Sequence, residues 1–140
     1  MVNNRRAGVY RLLDANLNRA SEGIRVIEDT YRFIYNDKKI FAVLRVLRHK
    51  LNKITQKAYP DLILSRDSQQ DSGRKMAEQG RNNLKALLAA NFKRIEQALR
   101  VLEEYSKLFS ASAGSEFKKI RFKLYTLEKK SCDFNRPGKK

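Results

Sequence analysis

The sequence predicts an all-α fold, four-helix-bundle-like, built from two duplicated helical hairpins related by a pseudo-two-fold axis. Three observations carry that reading. Apolar residues recur in steps of three and four along four segments, a polar stretch separates the segments into two pairs, and part of the first segment returns in the third with polar identities in register.

In the first segment Leu13, Leu17, Ala20, Ile24, Ile27, Tyr31 and Ile34 draw one stripe, which predicts a helix from about Val9 to Tyr35. Asn36-Asp37 interrupts the pattern. A second stripe follows at Ile40, Leu44, Leu47, Leu51, Ile54 and Ala58, and Pro60 stops it because proline cannot donate to the preceding turn. The third helix carries Leu84, Leu88, Phe92, Ile95, Leu99, Leu102 and Phe109 on one face, and the fourth carries Phe117, Ile120, Leu124 and Leu127. Ser-Ala-Ser-Ala-Gly-Ser joins them, with Ser115 as the expected N-cap. The expected organisation is one helical domain over 1–140, with a first hairpin at 9–58, a polar connector at 59–83, a second hairpin at 84–131 and a flexible tail at 132–140. Within the connector, Ser65-Arg66-Asp67-Ser68-Gln69-Gln70-Asp71-Ser72-Gly73 has no period and no large apolar residue, so it reads as a loop.

The repeat is sharpest at an offset of 75, where Ala15, Asn16, Arg19, Arg25, Val26 and Glu28 meet Ala90, Asn91, Arg94, Arg100, Val101 and Glu103. Helical periodicity repeats apolar positions unaided, but not an Asn, two Arg and a Glu. A fainter echo sets Arg48-His49-Lys50-Leu51 against Arg121-Phe122-Lys123-Leu124. At 100° per residue Asn16 and Arg19 share one shoulder of the apolar stripe, as do Asn91 and Arg94, which suggests convergence on one cleft. Arg25 and Glu28 read as a surface ion pair three residues apart.

Lysine and arginine number 31 against 15 acidic residues, a net charge of +16 and a pI near 10.2. Such a field attracts phosphorylated metabolites, nucleotides, RNA and anionic membranes alike. With Cys132 the single cysteine and His49 the single histidine, neither a disulfide framework nor a Cys/His zinc site can form within one chain. No apolar run reaches membrane-spanning length, and Met1 to Arg6 lacks the apolar core of a signal peptide, so a cytoplasmic location is expected. Phosphate-binding glycine loops, the dinucleotide fingerprint and the His-Glu-x-x-His helix are all absent. The aromatics fall mostly on the apolar stripes, and the basic residues spread over all four helices, which argues against a nucleic-acid partner.

The segment from Leu13-Asp14-Ala15-Asn16 through Arg19-Ala20-Ser21-Glu22-Gly23 to Glu28-Asp29 resembles the helical domain often fused ahead of thiamine-phosphate synthase. The likeness continues through Leu47-Arg48-His49-Lys50-Leu51, the loop Ser65 to Gly73, Ala90 to Tyr105 and Leu124 to Glu128, nearly the whole chain. It implies a hydroxymethylpyrimidine phosphate kinase of the non-ribokinase type, with ATP as phosphoryl donor and Mg²⁺ as cofactor. On that reading Arg19, Arg94 and Asp67 are catalytic, Asn16, Glu22, Arg25, Arg66 and Asn91 bind substrate, and Asp67 and Asp71 hold the metal. Arginine forks suit phosphate oxygens, an amide can read an aminopyrimidine edge, and magnesium accepts one or two carboxylates. Ser21 replaces a basic residue common in relatives, and Gln97, beside Glu96, replaces a glutamate. The other readings are a non-catalytic domain that docks on, or dimerises with, a thiamine-phosphate synthase through an apolar strip at Val26, Phe33 and Val101, and a basic nucleic-acid-binding bundle; a homodimer is a separate expectation.

Overall fold

The computed structural model describes residues 4–56, 59–78 and 80–134. They form α1 (Asn4–Asp29) running into a π-helical turn (Thr30–Ile34), then α2 (Lys38–Ile54), a short α3 (Tyr59–Leu64), α4 (Leu84–Ser106) and α5 (Ala111–Phe134), with no strand among them. The all-α prediction holds. The four long helices close a ring in which α1 neighbours α2 and α4, while α5 neighbours α4 and α2.

The stripes named above become the core. Ala20, Ile24, Ile27 and Tyr31 of the first helical run, Leu44 and Leu51 of α2, Ile95, Leu99 and Leu102 of α4 and Leu124 of α5 are completely buried. Burial of such side chains is the main favourable term in forming the bundle. α1 and α4 approach most closely at Gly23, where a Cβ would lie 2.6 Å from the Ile95 side chain. At the far end of this interface Tyr10 stacks on Phe109, ring centres 5.4 Å apart, so the two helices run antiparallel.

Helix boundaries differ from expectation for local chemical reasons. The first helix starts at Asn4 and changes at Thr30 to a π turn, where the Thr30 hydroxyl donates to the Val26 carbonyl at 2.8 Å and the Tyr35 amide reaches back to Thr30 O. Asn36 then takes a left-handed backbone, φ 52°, and the Asp37 carboxylate caps α2 by accepting from the amides of Lys39 and Ile40. Pro60 stands in the first turn of α3 instead of ending α2, which closes at Ile54; prolines are tolerated in a first turn, where no amide partner is required. Ala58 lies outside the described residues. α3 buries Leu62 against the core beside α1.

At the second hairpin the Asn83 side chain caps α4 through the Ala86 amide. Ser110, not Ser115, caps α5, its hydroxyl accepting from the Ala113 amide at 3.2 Å. The helix thereby takes up most of the small-residue segment read as a linker, since serine and alanine are compatible with a first turn. At the other end the sequence suggested a flexible tail from Cys132. Instead α5 continues to Phe134, and Ser131 is buried, accepting a 2.6 Å hydrogen bond from the Tyr31 hydroxyl. The rest of the expected tail, 135–140, is outside the described residues.

Two glycines of α1 separate helix propensity from packing. Gly8→Ala, with only the Arg11 side chain near its Cβ position, is expected to stabilise the fold by about 0.5–1 kcal/mol. Gly23→Ala is expected to destabilise by about 1–3 kcal/mol through overpacking against Ile95. Urea unfolding of both variants measures this, and equal stabilisation would refute the close crossing.

Candidate functional site

Glu28 is not a surface residue. It is 1% exposed, and its two oxygens accept from Nε and Nη2 of Arg48, across on α2, at 2.8 and 3.2 Å. Arg25 approaches the same carboxylate at 3.7 Å and also bridges Asp29. The surface-pair expectation therefore gives way to a buried carboxylate clasped from the neighbouring helix. Burial without a counter-charge would be strongly unfavourable, so the glutamate requires Arg48. That bond in turn raises the Arg48 pKa, against the opposing effect of burial.

The second hairpin repeats the arrangement. Glu103, 3% exposed, accepts from Arg121 of α5 at 2.9 Å and from Arg100 at 3.3 Å. Arg121 differs in its surroundings. It also donates to the Tyr125 hydroxyl, the leading cause of its raised pKa, and its guanidinium lies over the rings of Phe122 and Tyr125.

The connector is tied to α1 by a contact between residues 52 positions apart. Arg66 donates from Nε and Nη2 to both oxygens of Asp14 at 2.6 and 3.1 Å, and Asp14 is 5% exposed. Sequence reasoning gave Asp14 no role, because it lies outside the repeat, where Ala89 stands at the aligned position. Its partner lies in an aperiodic segment, so only folding joins the two. Asp67 and Asp71, expected as metal ligands, are exposed, and each closes a turn, accepting from the amides of Gln70 and Gly73 respectively. Among the described residues no group of three or more His, Cys, Asp or Glu side chains is placed to hold a metal.

The shoulder residues keep largely to their own helices. Asn16 and Asn91 each donate to the carbonyl four residues back, Leu12 O at 2.9 Å and Leu87 O at 2.8 Å. Asn16 Oδ1 accepts from Arg19 at 3.4 Å. Arg19 and Arg94 are both exposed, and so is Glu22. The structure thus joins Asp14 to Arg66 and Asn16 to Arg19. Among the described residues neither asparagine side chain is hydrogen-bonded to the other hairpin.

Glu96, flagged in the sequence beside Gln97, is 3% exposed, and one of its oxygens has no donor. Burial above all, then the hydrogen bond and charge of Glu128 on α5, push its pKa up to about 8, against the pull of Lys93. A proton held between Glu96 and Glu128 relieves the repulsion of two carboxylates that share one buried site. The counterpart of Glu96 in the repeat is Ser21, so the first hairpin has no buried acid at this position.

The described residues form a helical module with charged clasps at aligned positions of two hairpins. It belongs to the ThiD2 family, whose model matches residues 11–130. Among curated proteins it is 44% identical over 123 residues to a thiamine-phosphate synthase of Nostoc punctiforme, covering 86% of this chain and 34% of that relative. It is 41% identical to the Synechocystis thiamine-phosphate synthase, again over 86% of this chain and 35% of the relative. With that of Rhodopirellula baltica it shares 37% identity over the whole chain and 40% of the relative. The chain therefore spans a little over a third of the length of these relatives. No solved structure matches. These findings correct the expected activity: the relatives are named thiamine-phosphate synthase, not hydroxymethylpyrimidine phosphate kinase, and the kinase reading is set aside.

Two outcomes follow from the buried charges. Arg48→Ala, which leaves Glu28 uncompensated, is expected to cost about 3–5 kcal/mol in urea unfolding, whereas Arg25→Ala, at a half-exposed side chain, is expected to cost less than about 1 kcal/mol. Equal losses would refute the clasp. For Glu96 the folded pKa lies above the ordinary 4.5, so the folded chain holds a proton that the unfolded chain releases. The stability contributed by protonated Glu96 is full below pH 4.5, falls as pH rises towards 8, and is lost above it. Glu96→Gln, which keeps the neutral form at every pH, should flatten the decline in melting temperature across that window and melt higher than the parent chain at its alkaline end. Parallel pH profiles would exclude the buried proton.

Proposed function

We propose that this chain is a non-catalytic helical module of thiamine biosynthesis that associates with a thiamine-phosphate synthase. One observation carries the reading: relatives at 37–44% identity hold the matching segment as about a third of a longer polypeptide bearing that name. In such proteins the segment is joined to the remaining two thirds, so one of its faces is available to meet them.

The surface offers apolar area for such an association. Val26, Phe33, Ile34, Val43 and Val46 of the first hairpin are each at least 40% exposed. Phe33 is 64% exposed and Val46 52%. Exposed side chains of this kind, set among arginines, have the composition of a protein contact more than of a plain solvated face. Of the strip suggested by the sequence, Val26 and Phe33 are exposed and Val101 is half-buried.

A chimera tests the reading. The Nostoc punctiforme synthase with its matching segment replaced by this chain is expected to keep synthase activity and thermal stability, where the same protein with that segment deleted loses one or both. Phe33→Asp combined with Val46→Asp is expected to lower the chimera's stability towards the deleted form. A chimera no better than the deletion would end the proposal.

A further inference from the structure

α5 turns Phe117, Ile120, Leu124 and Leu127 to the core. Its outer face is unlike the rest of the surface. Between positions 118 and 130 every exposed residue is a lysine, five in all, except Phe122, Tyr125 and Thr126. No carboxylate is exposed there, because the one acid of the stretch, Glu128, is half-buried and occupied with Glu96. None of the five lysines makes an ion pair among the described residues. At 100° per residue, positions 118, 122, 125 and 129 form one row and 119, 123 and 130 a second beside it, over about 18 Å of helix.

The expectation against a nucleic-acid partner rested on aromatics placed on the apolar stripes. Phe122 and Tyr125 lie off the stripe, 52% and 40% exposed. They meet edge to face, ring centres 5.9 Å apart, and the Arg121 guanidinium, its side chain 12% exposed, lies over both rings and donates to the Tyr125 hydroxyl. The rings are therefore held in place while open to solvent. Charge alone does not single out this face, since α2 also has no acidic residue from Lys38 to Ile54. There, however, the cations are interspersed with exposed Val43 and Val46, and the one aromatic, Phe41, is not exposed. On α1 and α4 carboxylates take up several of the cations, as Asp29 does Arg25 and Glu104 does Arg100 and Lys107.

We propose that the outer face of α5 binds single-stranded nucleic acid, with its lysines on the phosphates and Phe122 and Tyr125 against the bases. Rows of mobile point charges suit a flexible polyanion, and each neutralised phosphate releases counterions. Ring faces suit unpaired bases whatever their sequence. A duplex is a poorer partner, because its bases already stack on one another and leave the rings unused. An acidic protein surface also fits less well, since lysine is depleted at protein interfaces and five lysines around two rings leave little apolar area to bury. The proposal goes beyond the docking reading, which uses the first hairpin, and does not depend on it.

The test uses the full chain and a short fluorescein-labelled oligouridylate, followed by anisotropy over a range of potassium chloride, with an RNA duplex of equal length and polyglutamate as competitors. Saturable binding is expected. Lys119→Gln with Lys123→Gln and Lys130→Gln should weaken it about tenfold or more and reduce the log–log salt slope by about 2, as the loss of three phosphate contacts does. Phe122→Ala should weaken it about fivefold or more with the slope unchanged, as the loss of one stacked base does. Lys38→Gln with Lys39→Gln and Lys50→Gln removes the same charge from acid-free α2 and should change affinity less than about threefold. All these positions are exposed, and circular dichroism with melting temperature verifies the fold of each variant. Equal weakening by the α2 variant, full affinity in Phe122→Ala, or competition by the duplex or polyglutamate as effective as that of unlabelled oligouridylate would each overturn the proposal.

Discussion

The structure depends on carboxylates buried between antiparallel helices. Glu28 and Glu103 sit where α1 and α4 meet their return helices, and each is compensated by an arginine from across the hairpin, Arg48 or Arg121. An apolar stripe alone tolerates sliding and rotation of one helix on another. A buried charge does not, since displacement by a turn would leave it without its partner at a cost of several kcal/mol. The clasps therefore set the register of each hairpin. The apolar faces of α1 and α4, brought close at Gly23, then join one hairpin to the other.

A third ionic contact extends this control to the connector. Asp14 holds Arg66 and so draws the start of an aperiodic loop onto α1, next to the shoulder that carries Asn16 and Arg19. α3 assists by placing Leu62 in the core. The polar loop thus leaves the bundle from a fixed point, and Asp67 and Asp71 shape its turns through backbone amides.

Positions of the two hairpins that align in sequence differ in their surroundings. Gly23 faces Ile95 across the bundle, while its counterpart Ala98 is buried without the same demand for space. Ser21 aligns with Glu96, whose pKa is raised by burial and by Glu128. His49 corresponds to Phe122, an aromatic cover for the second clasp. Both hairpins keep exposed apolar side chains, Phe33 and Val46 on the first and Leu108 and Phe122 on the second, and the first also carries an open basic groove.

Much of this was legible in the sequence. The 3.6-residue stripes identified the four long helices and nearly all of the core, because burial of one helical face leaves a periodic mark whatever the partner. The repeat singled out Asn16, Arg19, Arg25 and Glu28 with their twins, and Arg48 with Arg121, as residues that periodicity does not explain. The sequence alone determined which side chains needed a special environment. It could not say which residues supplied it, because Glu28 with Arg48, Asp14 with Arg66 and Tyr31 with Ser131 are separated by up to 100 positions and follow no period. A carboxylate three residues from an arginine looks like a surface pair until a neighbouring helix removes its water. Tertiary structure alone decides that, since burial is a property of the packed helices and not of the spacing along one of them.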